Sequence, residues 1–210
     1  MKKENAIKVI TECAKLYKEN LENRNLLFIF GTEKLPEFFE ASFLPRNFLH
    51  LTGVKIFEER VGGSVDFYEK CLQGKLSPSD FSFADNGTTD MKLSILPQLM
   101  KIQTCAKMVG TYDFTKSVLF TEKVAGNIYA CMGFVKENNY YIPNTALRED
   151  IRDISVRPQK RILAIFKKDI PQKFYPITPC YSAKKVNVSC LVNSENIKQK
   201  FDFTPPIQAL

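Results

Sequence analysis

The chain is poor in the residues that enzymes most often use. Only one of its 210 residues is histidine, His50, and its six cysteines (13, 71, 105, 131, 180 and 190) contain no CxxC pair. A structural zinc needs four closely placed ligands, so this inventory argues against one. There is no HExxH motif and no dense carboxylate cluster, so neither metal nor cofactor is expected. GxGxxG and GxxxxGKS/T are both missing, which removes the glycine-rich phosphate cradles. GxSxG is missing too, and with it the serine elbow. The longest apolar run, "LLFIF", is far too short to cross a bilayer and suits a buried strand. The basic start "MKKENAIKV" has no apolar stretch behind it, unlike a signal peptide. We expect a soluble, cytoplasmic protein with reduced thiols and no membrane association.

What is present is a globular composition, 44% hydrophobic and 25% charged. The length suits a single domain over residues 1–210, with a mainly helical part over 1–105 and a mainly β-sheet part over 106–195. The net charge of +7 and pI near 9.0 favour a polyanionic partner, although the basic residues are dispersed.

Ile7, Ile10, Ala14, Tyr17 and Leu21 recur every three or four residues and predict an amphipathic helix over about 4–23. Pro36 and Pro45 each suit a first helical turn. "PRNFLHLT" ends at Gly53, the proline-in, glycine-out pattern of a short helix. "SVDFYEKCLQG" predicts another, with Val65, Tyr68, Cys71 and Leu72 on one face. "SPSDF" reads as a capped turn and Asn86-Gly87 as a turn. Asp90 is placed to cap a helix with a stripe of Met91, Ile95, Leu99 and Ile102, kinked or broken at Pro97. From about residue 108, "SVLFTEKV", "NIYACMGFV", "NYYIP", "RILAIFKK", "KFYPIT" and "VNVSCLV" read as short strands. Gly126-Asn127 and Asn138-Asn139 suit hairpin turns. "TALREDIRDI" adds a helical turn, with Asn144 or Thr145 as cap, and the tail "FDFTPPIQAL" is expected to fray. Helices first and strands later predicts α+β, with N-terminal helices on a curved antiparallel sheet.

Two stretches can carry chemistry. Arg46, Asn47 and His50 share the polar face of the short helix, opposite Leu44, Phe48 and Leu51. A helix C-terminus favours the charged imidazole and Arg46 opposes it, so the ring stays close to neutrality, where it can move protons. The competing reading is an ordinary histidine flanking a helix end. The corner "YYIPNTALREDIRD" gathers Tyr141, Asn144, Arg148, Asp150 and Arg152. Two arginines one turn apart can grip phosphate, and tyrosines can stack on bases. Alternatively the charges simply pair with one another. Thr121 and Lys123 in "TEKVAGN", Lys92, and Tyr181 in "YSAKK" can each extend a basic surface.

"NFLHLTGV", "FYEKCLQGKLSPSDF", "NGTTDMKLSILPQL", "LFTEKVAGN" and "YYIPNTALREDIR", in that order over residues 26–182, resemble the fourth group of phage-associated barnase, EndoU, colicin D and RelE-like (BECR-fold) nucleases. The resemblance implies a metal-independent endoribonuclease of phage or mobile-element origin, toxin or effector in type. Such enzymes drive the ribose 2′-hydroxyl onto its own phosphate, giving a 2′,3′-cyclic phosphate. Carried onto this chain, it implies His50, Lys123, Arg152 and Thr121 as catalytic residues. It also implies Thr52, Lys92 and Asn144 as substrate-binding, and the reading of the residues themselves adds Arg46, Arg148, Tyr141 and Tyr181. His50 lacks a second histidine, so Asp150, Glu122 or a tyrosine would complete an acid–base pair. The partners implied are RNA and a cognate inhibitor or host factor. The alternative is a non-catalytic RNA- or protein-binding module of the same fold, for example a counter-defence protein.

Overall fold

The computed structural model describes residues 1–115 and 119–203. Helix α1 (Lys3–Asn20) turns its Ala6, Ile10, Cys13, Ala14 and Tyr17 inward, as the periodicity predicts. The apolar run forms β1 (Arg24–Gly31), and β2 (Pro36–Phe43) returns beside it. Pro36 was expected to start a helix. It instead opens β2 opposite Gly31, at a strand's first position, where a missing N–H is tolerated.

A 3-10 turn (Pro45–Asn47) leads into α2 (Phe48–Thr52), closed by Gly53 at φ 72°, then β3 (Val54–Ile56) and α3 (Ser64–Leu72). In α3, Phe67, Tyr68 and Cys71 are buried, whereas Val65 points to solvent. "SPSDF" forms its turn through Asp80, whose carboxylate accepts from Ser77 N at 2.9 Å. After β4 (Phe81–Phe83) comes α4 (Thr88–Leu99), whose N-cap is Gly87 rather than Asp90. Asp90 sits in the first turn and binds the N-terminal amine at 2.6 Å. The buried stripe of α4 is Leu93, Ile95, Leu96 and Leu99, while Met91 is exposed. The helix runs two residues past Pro97, stops, and resumes as α5 (Ile102–Cys105).

The second half supplies β5 (Met108–Thr111), β6 (Lys123–Gly126), β7 (Cys131–Glu137), β8 (Tyr140–Leu147), α6 (Ile151–Ile154), β9 (Lys160–Asp169), β10 (Tyr181–Ser182) and α7 (Val188–Val192). The reading of "SVLFTEKV" lies partly outside the described residues, as does most of the tail. Two expected strands are not strands. "KFYPIT" makes only one bridge, Tyr175 to Phe201. "VNVSCLV" becomes α7, because Asn187 Oδ1 caps Cys190 N at 3.2 Å and burial of Leu191 and Val192 outweighs β propensity. Asn138, at φ 54°, turns the chain between β7 and β8 as expected.

The fold class is α+β, with helices against a large curved sheet as the sequence suggested, but the sheet is mixed and takes in β1 and β2 from the N-terminal half. β1 is hydrogen-bonded to β2 on one side and to β9, far away in sequence, on the other. The strand order β1-β2-β8-β7-β6-β5-β9 therefore closes on itself, with β10 attached to β9. Among the described residues, every pairing between these strands is antiparallel except β2–β8, a parallel joint of one residue pair, Ala41 with Tyr141. α2 and α4 both pack against β8 beside this seam.

β1 is buried on both faces, which is why it reads as an unbroken apolar run. Leu26, Phe28 and Phe30 face the main core with α1, α2 and α4. Leu27 and Ile29 face a second core with Phe166, Leu191, Ile197 and Phe201. A third, small core holds Tyr112, Val124 and Cys131 under Ile151 and Ile154 of α6.

Candidate active site

His50 lies in the last turn of α2, with part of its side chain open to solvent and part packed against the protein. Two adjoining cavities, of about 290 and 460 Å³, meet there and share His50 and Asn144. The second shares Thr88 and Lys92 with a third, of about 530 Å³, which also takes in Arg148. Chained by these shared residues, the three cavities make up a groove along the α2–α4 pair and β8.

Each groove residue has a local reason for its place. Gly53 ends α2 in the left-handed region, and a Cβ there would lie 2.7 Å from Lys92 Cδ. Its absence lets Lys92 cross the helix end, where Nζ donates to the His50 carbonyl at 3.2 Å. Buried Thr89 ties the two helices together. Its hydroxyl donates to Gly53 O at 2.6 Å and accepts from Ala84 N at 2.9 Å.

On the sheet side, Gly133 pairs with Thr145 but Phe134 pairs with Pro143, so Asn144 is the extra residue of a β-bulge. A bulge re-aims the side chain it carries, and Pro143 has no N–H to leave unpaired. The Asn144 amide donates to the Phe120 carbonyl, and Thr121 Oγ1 donates to Asn144 Oδ1 at 3.2 Å. Gly133 makes room for this clasp, since a Cβ there would meet Thr145 at 2.7 Å and Thr121 at 2.8 Å.

The electrostatics suit proton transfer. Partial burial of the ring lowers the His50 pKa below its ordinary 6.5, and the Lys92 ammonium lowers it further. At pH 7 the imidazole is neutral. Burial also lowers the Lys92 pKa, making that ammonium a readier acid. The cation acting on His50 is thus Lys92 and not Arg46, which pairs with Glu137 at 2.5 Å. Asn47, expected on the polar face, is buried, and its Oδ1 accepts from Leu44 N at 2.9 Å.

The groove therefore gathers His50, Lys92, Asn144, Arg46 and Arg148, with Thr121 directly behind Asn144. Several expected residues lie elsewhere. Lys123 donates to Thr111 Oγ1 at 3.3 Å and lines a separate cavity of about 250 Å³ that shares no residue with His50's. Arg152 sits on α6, gripped by Asp150 at 2.5 Å, which holds that carboxyl below its usual range. Asp150, not Asn144 or Thr145, caps α6, and Arg148 precedes the helix instead of sharing a face with Arg152. Thr52 is fully buried and donates to Leu49 O at 2.7 Å, a helix-end contact. Tyr141 packs edge-on against Phe39 with ring centroids 5.4 Å apart, and Lys107 covers Tyr181 at 3.9 Å.

Glu122 accepts from Lys136 N at 3.0 Å and does not line these cavities. The carboxylate lining His50's first cavity is Glu137, which sequence reasoning passed over. The Asn138-Asn139 turn was its only signal. Among the described residues, no group of three His, Cys, Asp or Glu side chains is arranged to hold a metal ion.

A family model described as phage-Barnase-EndoU-ColicinE5/D-RelE like nuclease 4 matches residues 9–184. The chain belongs to this nuclease family. The match includes every groove residue named above, from Arg46 to Arg148. Curated proteins and solved structures give no significant match to this nuclease. No helix among its described residues is long and apolar enough to cross a membrane.

Proposed function

We propose that this nuclease is an endoribonuclease of toxin or effector type, cleaving RNA with side chains alone. The observation that carries the proposal is the meeting of His50, Lys92 and Asn144 in one groove of a nuclease-family chain. The neutral imidazole of His50 takes the proton of a ribose 2′-hydroxyl. The 2′-oxygen forms its bond to phosphorus and the bond to the 5′-oxygen breaks. Lys92 stabilises the added negative charge and gives a proton to the departing 5′-oxygen. His50 ends protonated and Lys92 deprotonated, and exchange with water restores both. The products carry a 2′,3′-cyclic phosphate and a 5′-hydroxyl. Asn144, held by Thr121, orients the phosphate, and Arg46 and Arg148 attract the flanking backbone. Lys123 and Arg152, lying outside the groove, take no part in the chemistry.

Incubation with total RNA in EDTA tests the scheme. The expected result is fragments ending in cyclic phosphate, abolished by His50→Ala. Intact RNA alongside salt-dependent filter binding would replace catalysis with the RNA-binding module. Expression without an inhibitor is expected to be toxic in the wild type and tolerated in His50→Ala.

A further inference from the structure

Phe120 is 82% exposed, the most exposed large apolar side chain among the described residues. Its backbone is nonetheless fixed. The Asn144 amide donates to its carbonyl, and Thr121 N, the next residue along, donates to Leu119 O at 3.0 Å. Phe120 lines the cavity that holds His50, Arg46 and Asn144, and Leu119 lines the larger neighbouring cavity with Lys92 and Arg148. No aromatic ring packs against Phe120 among the described residues. An anchored aromatic side chain with no ring against it thus stands at the wall of a groove that also holds His50, Lys92, Arg148 and the Arg46–Glu137 pair.

We propose that Phe120 is a stacking platform for one nucleobase beside the scissile phosphate, and that the substrate is accordingly single-stranded or looped RNA. The inference rests on the endoribonuclease reading. Every base offers a π face to an aromatic ring, so stacking tolerates any sequence, while the cations take the backbone. Bases within a duplex are already stacked on their neighbours and cannot lie on the ring. The asparagine that orients the phosphate also anchors the backbone of the platform, which sets base and phosphate in one register.

The test uses an RNA oligonucleotide with a 2′-deoxy residue at the cleaved position and the fluorescent base 2-aminopurine beside it. Wild type is expected to bind the single strand and quench the fluorescence, and to bind the matching duplex weakly. Phe120→Leu keeps apolar bulk but removes the ring. It is expected to lose the quench and to bind roughly 5- to 100-fold more weakly, whereas Phe120→Tyr retains both. Because the side chain is exposed, thermal midpoints should be unchanged, which separates stacking from misfolding. Equal quenching and affinity in Phe120→Leu, or a preference for duplex, overturns the platform. Failure of the parent reading looks different: wild type then leaves the all-ribose oligonucleotide uncut while the Phe120-dependent quench persists.

Discussion

His50 being the sole histidine, its ring protons can be followed by NMR without ambiguity. Burial and Lys92 both lower its pKa, so the titration midpoint is expected below 6.5. Lys92→Met removes the smaller cause and should move the midpoint upward, with burial keeping it below the ordinary value. A midpoint unmoved by that substitution would mean that Lys92 does not act on the ring. The base form of His50 grows as pH rises through the lowered pKa, so the acid limb of the cleavage rate should fall at the same midpoint. His50→Ala is expected to cost about 10²- to 10⁴-fold in rate, the usual range for a proton-transfer group. A loss under tenfold in steady-state cleavage would remove His50 from the chemistry.

At the scale of elements, the groove depends on two joints. The first is between α2 and α4, where Thr89 satisfies Gly53 O and Ala84 N. Thr89→Val keeps the shape and leaves both backbone groups unpaired, at about 1–3 kcal/mol. For a chain of this size each kcal/mol is roughly 2–4 °C, so calorimetry should show a clear fall in Tm. The second joint is the bulge on β8. Gly133→Ala pushes into Thr121 and Thr145, and so disturbs the clasp on Asn144. Cleavage should fall more than stability does, read as kcat against the unfolding midpoint in urea. Equal losses in both would make Gly133 a packing residue only.

Across the whole molecule, the family match ends at residue 184 but the second core does not. Leu191, Val192, Ile197 and Phe201 cover Leu27, Ile29 and Phe166 on the outer face of β1 and β9. Glu40 ties this cover down, accepting from Tyr175 at 2.9 Å and pairing with Lys200. Truncation after residue 184 is expected to expose that face, seen as dye binding to apolar surface and a lowered Tm, although the groove residues remain. Leu191→Ala alone should cost about 2–5 kcal/mol by denaturant unfolding, because the site is closed on all sides.

The amphipathic helix α1, the helix ended by Gly53, the buried run of β1 and the turn at Asn138 are all legible in the sequence. They rest on periodicity, on a glycine with positive φ and on short-range turn chemistry, each complete within a few residues. The exposure of His50 is legible for the same reason, but not the burial of Asn47 beside it. The pairing of β1 with β9, the helix at Val188–Val192 and the composition of the groove were decided by tertiary structure. Lys92 reaches His50 because Gly53 leaves a gap, and Asn144 turns outward because β8 holds one residue more than β7 needs. Lys123 and Arg152, attractive as sequence, take partners of their own elsewhere. Local sequence specifies which faces are apolar and where the chain turns. Which cations share a groove depends on contacts between residues tens of positions apart, and these exist only once the curved sheet has closed.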